Sequence, residues 1–402
     1  MSLILSIVMF GLNVLMMLFR KQPNKLKVDG LHVVFMLIFL VSLCFSYLLN
    51  GIHEPKALNH FIAYNTVIIL FFLNILFALK NSHIEPNKAL RTLTIMTTVA
   101  ALYTVIEAIA VNLMGIDVNL YIPRPTVNYY NPLALGFIIR ARGFAVESGH
   151  HALMMEIFAP LTIYYLWRIS RMPWAFKLLI TIILAANIII TYSTASFIAI
   201  PTALGLVLMI NWAKTVKNMA KTFLQPKRLV FLFLIIFTLS YLEKRIPVFD
   251  SVYLSVLSKM GSNSEVDRNK KMEAIMNKYQ NSGLDHILFG YGPSGFRVAG
   301  LNDAVISWYP TILFEAGLVG LIFLILHLGV IFFVFMGIRS PVKPYLLMAY
   351  FCGLIHYYFI GDYWYPWIWF LMAFGIYLKL RERHGVDKPI NYDEINSQSI
   401  IC

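Results

Sequence analysis

The chain has 402 residues, of which 59% are hydrophobic and only 13% are charged, and its mean hydropathy is +0.70. Soluble globular domains average about 25% charged residues, so this composition excludes a soluble protein and predicts an integral membrane protein. The formal net charge is +13. The basic residues lie mostly in short segments between apolar stretches, so membrane lipid is the expected partner and no nucleic acid is.

Apolar stretches of the length needed to cross a bilayer recur along the whole chain. About eleven reach roughly 20 residues, which predicts an all-α polytopic fold with a single membrane domain over residues 1–402. The predicted spans are 2–19, 31–50, 60–79, 92–114, 151–168, 177–192, 194–213, 228–242, 310–336, 345–361 and 364–380.

Basic residues follow the odd-numbered predicted spans, and the positive-inside rule places such residues in the cytoplasm. This alternation predicts an N-terminus outside and a cytoplasmic tail, 381–402. It also places two long segments outside, a first loop over 116–150 and a larger, partly helical loop over 243–307. Long loops are usually functional, so both are candidates for the site.

The first outer loop ends in a dense polar cluster, R-A-R-G-F-A-V-E-S-G-H-H-A over 140–152. Guanidinium groups bind phosphate with paired donors, so Arg140 and Arg142 are predicted to bind an anionic, membrane-anchored substrate. Glu147 is predicted to activate or orient an acceptor hydroxyl. Further predicted contributors are Arg124, His150 and His151, the last assisting proton transfer. The alternative is that these arginines extend to lipid headgroups.

The second outer loop contains a stretch with helical periodicity, 263–281. Its apolar residues fall on one face, which predicts a short amphipathic helix lying along the outer membrane interface. They are Met272, Ile275, Met276 and Tyr279. Arg268 on this helix is predicted to bind substrate, or else to pair with Glu265 or Asp267 or to contact anionic lipid.

A glycine-rich turn follows this helix, with the sequence F-G-Y-G-P-S-G-F-R over 289–297. Glycines permit a tight turn and a close approach of the backbone to a ligand, so Tyr291 and Gly292 are candidate substrate contacts. Three glycines also make an ordinary turn, and this alternative stays open.

The remaining ionisable residues within predicted spans are each either a site or half of a buried pair. They are Glu107, Glu156, Glu315, His327 and His356. The spacing of the histidines, cysteines and carboxylates predicts no metal site, and the three cysteines predict no disulfide framework.

Three segments of the chain resemble those of the bacterial O-antigen polymerase and O-antigen ligase superfamily. They are R-x-R-G-F-x-x-E-x-x-H-H-A over 140–152, Arg268 followed by F-G-Y-G-P-S-G-F over 289–296, and E-A-G-L-V-G over 315–320. The resemblance implies a multi-pass protein of the bacterial inner membrane with its active site in the periplasm. It also implies arginines that hold the pyrophosphate of an undecaprenyl-pyrophosphate-linked oligosaccharide.

By this resemblance the chain is a glycosyltransferase that passes a growing glycan from the carrier lipid onto a lipid-linked repeat unit, without a metal or cofactor. A chain-length regulator protein is a further expected partner. Ligases of the superfamily often carry a histidine shortly before the E-x-G segment, and 305–314 has none, which favours polymerase over ligase. A lipid-linked oligosaccharide transporter is the third alternative, although the sequence shows no repeated halves.

Overall fold

A computed structural model describes residues 11, 30–81, 84–116, 118, 139–211, 263–301, 307–361 and 365–383. Every regular element in these residues is a helix, in agreement with the predicted all-α class. The helices are α1 Leu31–Ser46, α2 Pro55–Val67, α3 Asn74–Asn81, α4 Pro86–Leu113, α5 Ser148–Tyr164, α6 Trp174–Thr191, α7 Thr194–Ile210, α8 Asn263–Gln280, α9 Leu284–Phe289, α10 Gly295–Val298, α11 Trp308–Met336, α12 Lys343–His356 and α13 Trp367–Arg383. Short π-helical turns, Tyr47–Gly51, Ile68–Leu73 and Tyr165–Ile169, extend α1, join α2 to α3 and extend α5.

Five helical segments in the described residues are long and apolar enough to cross a membrane. They are Leu31–Gly51, Pro55–Lys80, Pro86–Leu113, Trp174–Thr191 and Trp308–Met336. Nine of the eleven predicted spans fall mainly on described residues, and each overlaps a helix. The other two, 2–19 and 228–242, lie outside the described residues.

Two of these helices begin at a proline, which is a residue type typical of helix starts. Pro55 and Pro86 occupy the first turns of α2 and α4, where a missing N–H costs no hydrogen bond. The side chain of Glu54 also accepts from the backbone N–H of Lys56 at 3.2 Å, which caps α2.

Helix α11 is interrupted at Gly317, although the sequence predicts a continuous span over 310–336. The backbone of Gly317 has φ +68° and ψ −171°, which is outside the helical region. Because this conformation is open to glycine and strained for other residues, the interruption depends on the residue type. It frees backbone groups in the middle of a long apolar helix, and these groups need partners from elsewhere.

The core forms where α11 packs along α1, and where α12 packs against α5 and α7. Large side chains that are almost fully buried fill it, among them Trp308, Phe335, Tyr350, Tyr357 and Trp369. Burial of such aromatic residues contributes much of the packing energy in a helical bundle.

One end of the bundle gathers the segments that the sequence marks as polar, and we call it the site end. Here Arg140 Nε donates to the carbonyl of Thr191 at the end of α6 (2.9 Å). The N–H of Trp308, at the start of α11, donates to the carbonyl of Tyr357, just after α12 (3.0 Å). The rings of His150 in α5 and Tyr365 just before α13 lie 4.7 Å apart. The ends of five helices therefore meet at this surface.

The opposite end carries most of the described basic residues. Lys343 Nζ donates to the carbonyl of Met336 (2.7 Å), and the hydroxyl of Tyr377 donates to the carbonyl of Ile84 (2.5 Å). The basic residues of the helix ends and loops on this side are Lys80, Lys88, Arg91, Arg168, Arg171, Lys177, Arg339, Lys343, Lys379, Arg381 and Arg383. The structure thus groups at one end the basic residues that the positive-inside pattern assigns to one side.

Candidate functional site

The segment before α5 is tied to α4 by buried and partly buried hydrogen bonds. Asn112 pairs with Ile139 twice: its Oδ1 accepts from the backbone N–H at 2.6 Å, and its Nδ2 donates to the carbonyl at 2.9 Å. Three residues further on, Oε2 of Glu107 accepts from the backbone N–H groups of Arg142 (3.1 Å) and Gly143 (2.7 Å). Arg140 therefore lies between two stretches of backbone that hydrogen bonds to α4 hold in place.

Gly143 is required at its position for two reasons. Its φ is +57°, and a Cβ there would lie 2.4 Å from Nδ1 of His151 and 2.6 Å from Oγ1 of Thr104. Nε2 of His151 in turn lies 3.0 Å from both Thr104 Oγ1 and Asn187 Oδ1. His151 is thus enclosed between α4, α5 and α6, where it orders the packing under the loop rather than facing the surface.

Arg140 is influenced by charged residues from its own loop and from helix α8. Burial lowers the pKa of its guanidinium, the charge of Glu147 raises it, and the charge of Arg268 lowers it. An arginine stays protonated in proteins. The effects of the two charges on its pKa therefore indicate that Glu147 and Arg268 are near Arg140, and not that Arg140 changes its charge. The fold therefore places Glu147 and Arg268 close enough to Arg140 for their charges to act on it, although Arg268 lies on a helix far along the chain.

Glu147 precedes the first residue of α5, in an extended conformation with φ −132° and ψ 156°. A residue at this position normally accepts from the first turn of its helix, but the carboxylate of Glu147 makes no such bond. The side chain is exposed. It is therefore not used for helix capping and remains accessible at the site end.

Two other predicted site residues of this loop face inward. Nη1 of Arg142 donates to the carbonyl of Val146 at 2.9 Å, and the residue is 6% exposed, so this guanidinium braces the turn that leads to Glu147. His150 is buried against Tyr365. The two adjacent histidines point to different neighbours, as expected for consecutive residues on a helix. Arg124, the remaining predicted residue, lies outside the described residues.

Helix α8 confirms the predicted amphipathic helix and places its apolar face against the protein. Ile275 and Tyr279 are buried in a small cluster with Tyr291 and Phe314, and Met272 packs at its edge. This cluster covers the face that the sequence predicts to lie in the membrane interface. Arg268 is exposed on the same helix.

Tyr279 connects α8 to the interruption in α11. Its hydroxyl donates to the carbonyl of Ile287 at 2.6 Å. Burial raises the pKa of Tyr279, and a hydrogen bond from the backbone of Leu318, just after Gly317, lowers it. The hydroxyl of Tyr279 therefore lies beside the backbone that follows the helix interruption. Asp267, a candidate partner of Arg268, pairs with Lys271 instead at 2.7 Å.

The glycine turn docks its backbone on the interrupted part of α11. The N–H of Tyr291 donates to the carbonyl of Phe314 (2.8 Å), and that of Gly292 donates to the carbonyl of Glu315 (3.0 Å). A Cβ on Gly290 would lie 2.4 Å from the carbonyl carbon of Glu315, and one on Gly317 would lie 2.3 Å from the carbonyl oxygen of Leu288. The glycines of both segments permit a contact between two backbones.

Glu315 holds this junction together with its side chain. Its Oε1 accepts from the N–H of Ser294 (2.8 Å), and its Oε2 accepts from the hydroxyl of Tyr64 on α2 (2.6 Å). Its carbonyl accepts from the hydroxyl of Ser46 at 2.5 Å. A carboxylate with this many donors is stabilised when buried, and here it joins α1, α2, α10 and α11.

Tyr291 and Gly292, the predicted ligand contacts of the turn, are buried within the protein. The Tyr291 ring stacks on Phe314 at 4.6 Å, and its hydroxyl lies 2.5 Å from Oγ of Ser282. Gly292 has φ +88°, and a Cβ there would lie 3.0 Å from Cα of Gly51. The turn therefore approaches the end of α1 closely, and its surroundings are protein backbone.

A second buried pair joins α5 to α12. Nδ1 of His356 lies 2.9 Å from Oε2 of Glu156, and neither side chain is exposed. His327 is also buried, with Nδ1 2.9 Å from the carbonyl of His32. The sequence left two alternatives for the ionisable residues within predicted spans, a functional site or half of a buried pair. The structure shows contacts within the bundle for all five of them, Glu107, Glu156, Glu315, His327 and His356.

Sequence reasoning missed the supporting residues of the site. Asn112 and Tyr64 belong to no local motif, because each acts on a segment distant in the chain. The E-A-G-L-V-G segment over 315–320 was recognised, but nothing in it indicated that the helix is interrupted at Gly317. In the described portion, no group of three or more histidines, cysteines and carboxylates has the arrangement of a metal site. No protein-family model matches this chain, and no curated protein is detectably similar to it.

Proposed function

We propose that this protein is a membrane glycosyltransferase, a polymerase of surface polysaccharide such as O-antigen, that uses a glycan on a polyprenyl pyrophosphate as its donor. The observation that carries the proposal is the convergence of Arg140, Arg268 and Glu147 at the site end. Two guanidinium groups and one accessible carboxylate form a suitable set for a diphosphate leaving group and a hydroxyl nucleophile.

In the proposed reaction, the acceptor hydroxyl attacks the anomeric carbon of the donor glycan and the bond to the diphosphate breaks. Arg140 and Arg268 bind the diphosphate and stabilise the charge that develops on it. Glu147 orients the hydroxyl and takes its proton. Arg142 and His151 act only by positioning this segment, since the fold directs both inward.

The proposal includes the topology that the charge pattern predicts. About eleven spans would place the N-terminus and the site end in the periplasm, and the basic end in the cytoplasm of a bacterial inner membrane. The grouping of the described basic residues at the end opposite Arg140 supports this arrangement.

The test is reconstitution of the purified protein with a synthetic lipid-linked repeat unit in the presence of a chelator. We expect a ladder of longer glycans, because arginines provide the positive charge that a divalent cation supplies to other transferases. Arg268→Gln should remove the ladder. Lys278→Gln, which removes one charge from the same helix away from the cluster, should leave it intact. A folded wild-type protein that never extends the unit would refute the proposal.

The two alternative functions predict other outcomes of related assays. A ligase would transfer the glycan to lipid A–core rather than onto a second lipid-linked unit, and adding both acceptors to one reaction separates the two enzymes. A transporter would move the lipid-linked sugar across proteoliposomes without forming any new glycosidic bond.

A further inference from the structure

One loop at the site end runs down the side of α4 rather than across the helix ends. It covers residues 139–147, and we call it the descending loop. It begins beside the end of α4, where Ile139 forms its two hydrogen bonds with Asn112. Further along, the backbone N–H of Gly143 donates to Glu107 of the same helix at 2.7 Å. Since Glu107 precedes Asn112 by more than one helical turn, the loop moves away from the helix end as it proceeds.

The contact furthest down α4 is a stack of two aromatic rings. The ring of Phe144 lies 4.2 Å from that of Tyr103 on α4, with 15° between their planes. Tyr103 precedes Asn112 by nine residues (112 − 103). Because a helix rises about 1.5 Å per residue, the stack lies roughly 13 Å along α4 from the start of the loop. Phe144 is thus the tip of the descending loop.

The tip is apolar and accessible. Phe144 is 51% exposed, and among residues 139–147, all of which the structure describes, it is the exposed large apolar side chain. Tyr103 covers one face of the ring, so the exposed area belongs mainly to the other face and the edge. The neighbouring surface of α4 is also apolar, since Leu102 and Ile106 are exposed there. On a helix long and apolar enough to cross a membrane, such a surface faces lipid tails.

The same loop carries charged groups of the candidate site, and its arginine lies near the tip. Nε of Arg140 donates to the carbonyl of Thr191 at the end of α6 (2.9 Å). One turn earlier on α6, Asn187 donates to the carbonyl of Ala101 on α4, also at 2.9 Å. Ala101 lies in the same turn of α4 as the aromatic stack. The guanidinium is therefore about one helical turn from the level of the exposed ring.

We propose that the polyprenyl chain of the donor leaves the site over the ring of Phe144 and along the apolar side of α4, while Arg140 binds the diphosphate. This inference rests on the proposed function. The diphosphate and the chain are covalently joined, so the surface beside the anionic site has to accept an isoprenoid chain. A large ring held against a helix offers such a chain apolar area at little cost in conformational entropy. The acyl chain of a membrane phospholipid is the other apolar occupant, and the two give different results below.

The first experiment identifies the occupant by photocrosslinking of the full-length protein in phosphatidylglycerol nanodiscs. A benzophenone side chain replaces Phe144, and the probe is a glycan-free polyprenyl diphosphate. We expect adducts with the probe, and Arg140→Gln in the same background should lower their yield about tenfold, the effect of losing one charge-assisted contact. The matched control carries the benzophenone at Leu113, which is exposed at the end of α4, and should give adducts with phosphatidylglycerol. Adducts with phosphatidylglycerol alone at position 144 would refute the inference.

The second experiment compares glycan transfer from two donors, one with a full-length polyprenyl chain and one with a short chain. Phe144→Ala should raise the apparent KM about tenfold for the long-chain donor and much less for the short-chain donor, because the long chain loses contact with one aromatic side chain. Phe144→Leu keeps an apolar side chain and should retain most of the difference between the donors. A merely structural role of the stack would lower kcat for both donors together. Thermal unfolding establishes that each variant is folded.

The outcomes separate this inference from the proposed function. A protein that transfers glycan, but gives no polyprenyl adducts at position 144 or loses both donors equally in Phe144→Ala, refutes the inference alone. A protein that gives polyprenyl adducts at position 144 but transfers no glycan refutes the polymerase and supports the contact with the lipid chain. A protein that does neither refutes both.

Discussion

The arginine segment, 139–151, and the glycine segment, 284–298, are equally prominent in the sequence but have opposite organisation in the structure. In the arginine segment the backbone is held by the buried Glu107 and the half-buried Asn112, and Arg140 and Glu147 remain available at the site end. In the glycine segment the backbone itself forms the contact surface, and it packs against α11 and the end of α1.

The comparison shows that a conspicuous sequence motif can either present polar side chains at the surface or hold parts of the fold together. Glycines that look like a ligand-binding turn fit against Glu315 and Gly317, where any side chain would collide with backbone. The chemical candidate of this region, Arg268, lies before the turn on α8. The backbone of the glycine segment is thus occupied by contacts within the protein.

The largest effect is expected at the glycine segment. Gly290→Ala would place a Cβ within 2.4 Å of the Glu315 backbone at φ +74°, so we expect a loss of folding stability of ~3 kcal/mol or more. The measurement is the yield of monodisperse protein and its thermal unfolding in detergent. Gly329→Ala is the control, because a Cβ there meets nothing within 4 Å. Equal stability of the two variants would remove the proposed difference between the segments.

The arginine segment should respond in activity rather than in stability. Glu147→Gln removes the charge of an exposed side chain that caps no helix, so glycan transfer should fall roughly 10²–10⁴-fold while the unfolding temperature stays unchanged. Glu273→Gln on α8 is the matched control and should be active. A variant of Glu147 that keeps full activity would contradict the assigned role.

A third substitution tests whether Glu107 positions the arginine segment. Glu107→Ala would leave the buried N–H groups of Arg142 and Gly143 without their acceptor, which should cost about 1–3 kcal/mol and also lower activity. Glu107→Gln keeps an acceptor oxygen and should lose less of both. Thermal unfolding and transfer assays on the same samples would show whether the two losses move together.

The smallest effect is expected at the junction of the glycine segment with α2. Tyr64→Phe removes the hydroxyl that donates to Oε2 of Glu315 and should reduce stability by about 1–2 kcal/mol. Tyr358→Phe, at a residue that is 58% exposed, should have no effect. If Tyr64→Phe were also neutral, the buried carboxylate would depend on its backbone donors alone.

Much of the helical framework was predictable, because a span is a local property of about 20 consecutive residues. The predicted span 31–50 matches the helical segment Leu31–Gly51, and the amphipathic stretch 263–281 matches α8. The interruption of α11 at Gly317 was not predictable, since glycine is tolerated inside helices and only the docking of Leu288 against it shows why the helix breaks.

The candidate site divides in the same way. The sequence indicated Arg140, Glu147 and Arg268 from their charge and their position beside apolar spans. It did not separate them from Arg142, His150 and His151, which have the same composition and the same neighbourhood but face inward. Which way a side chain points depends on the helices packed around it, and those helices lie far away in the chain.

The sequence by itself determined that this is a helical membrane protein with polar clusters at the ends of its spans, because hydropathy and charge act locally along the chain. Only the tertiary structure decided which of those polar groups meet. The carbonyl of Glu315 meets Ser46 and its carboxylate meets Tyr64 and Ser294, because the helix ends are held together by buried carboxylates and by contacts between glycine backbones. Pairings of this kind are set by packing between distant segments, for which no single stretch of residues carries a signal.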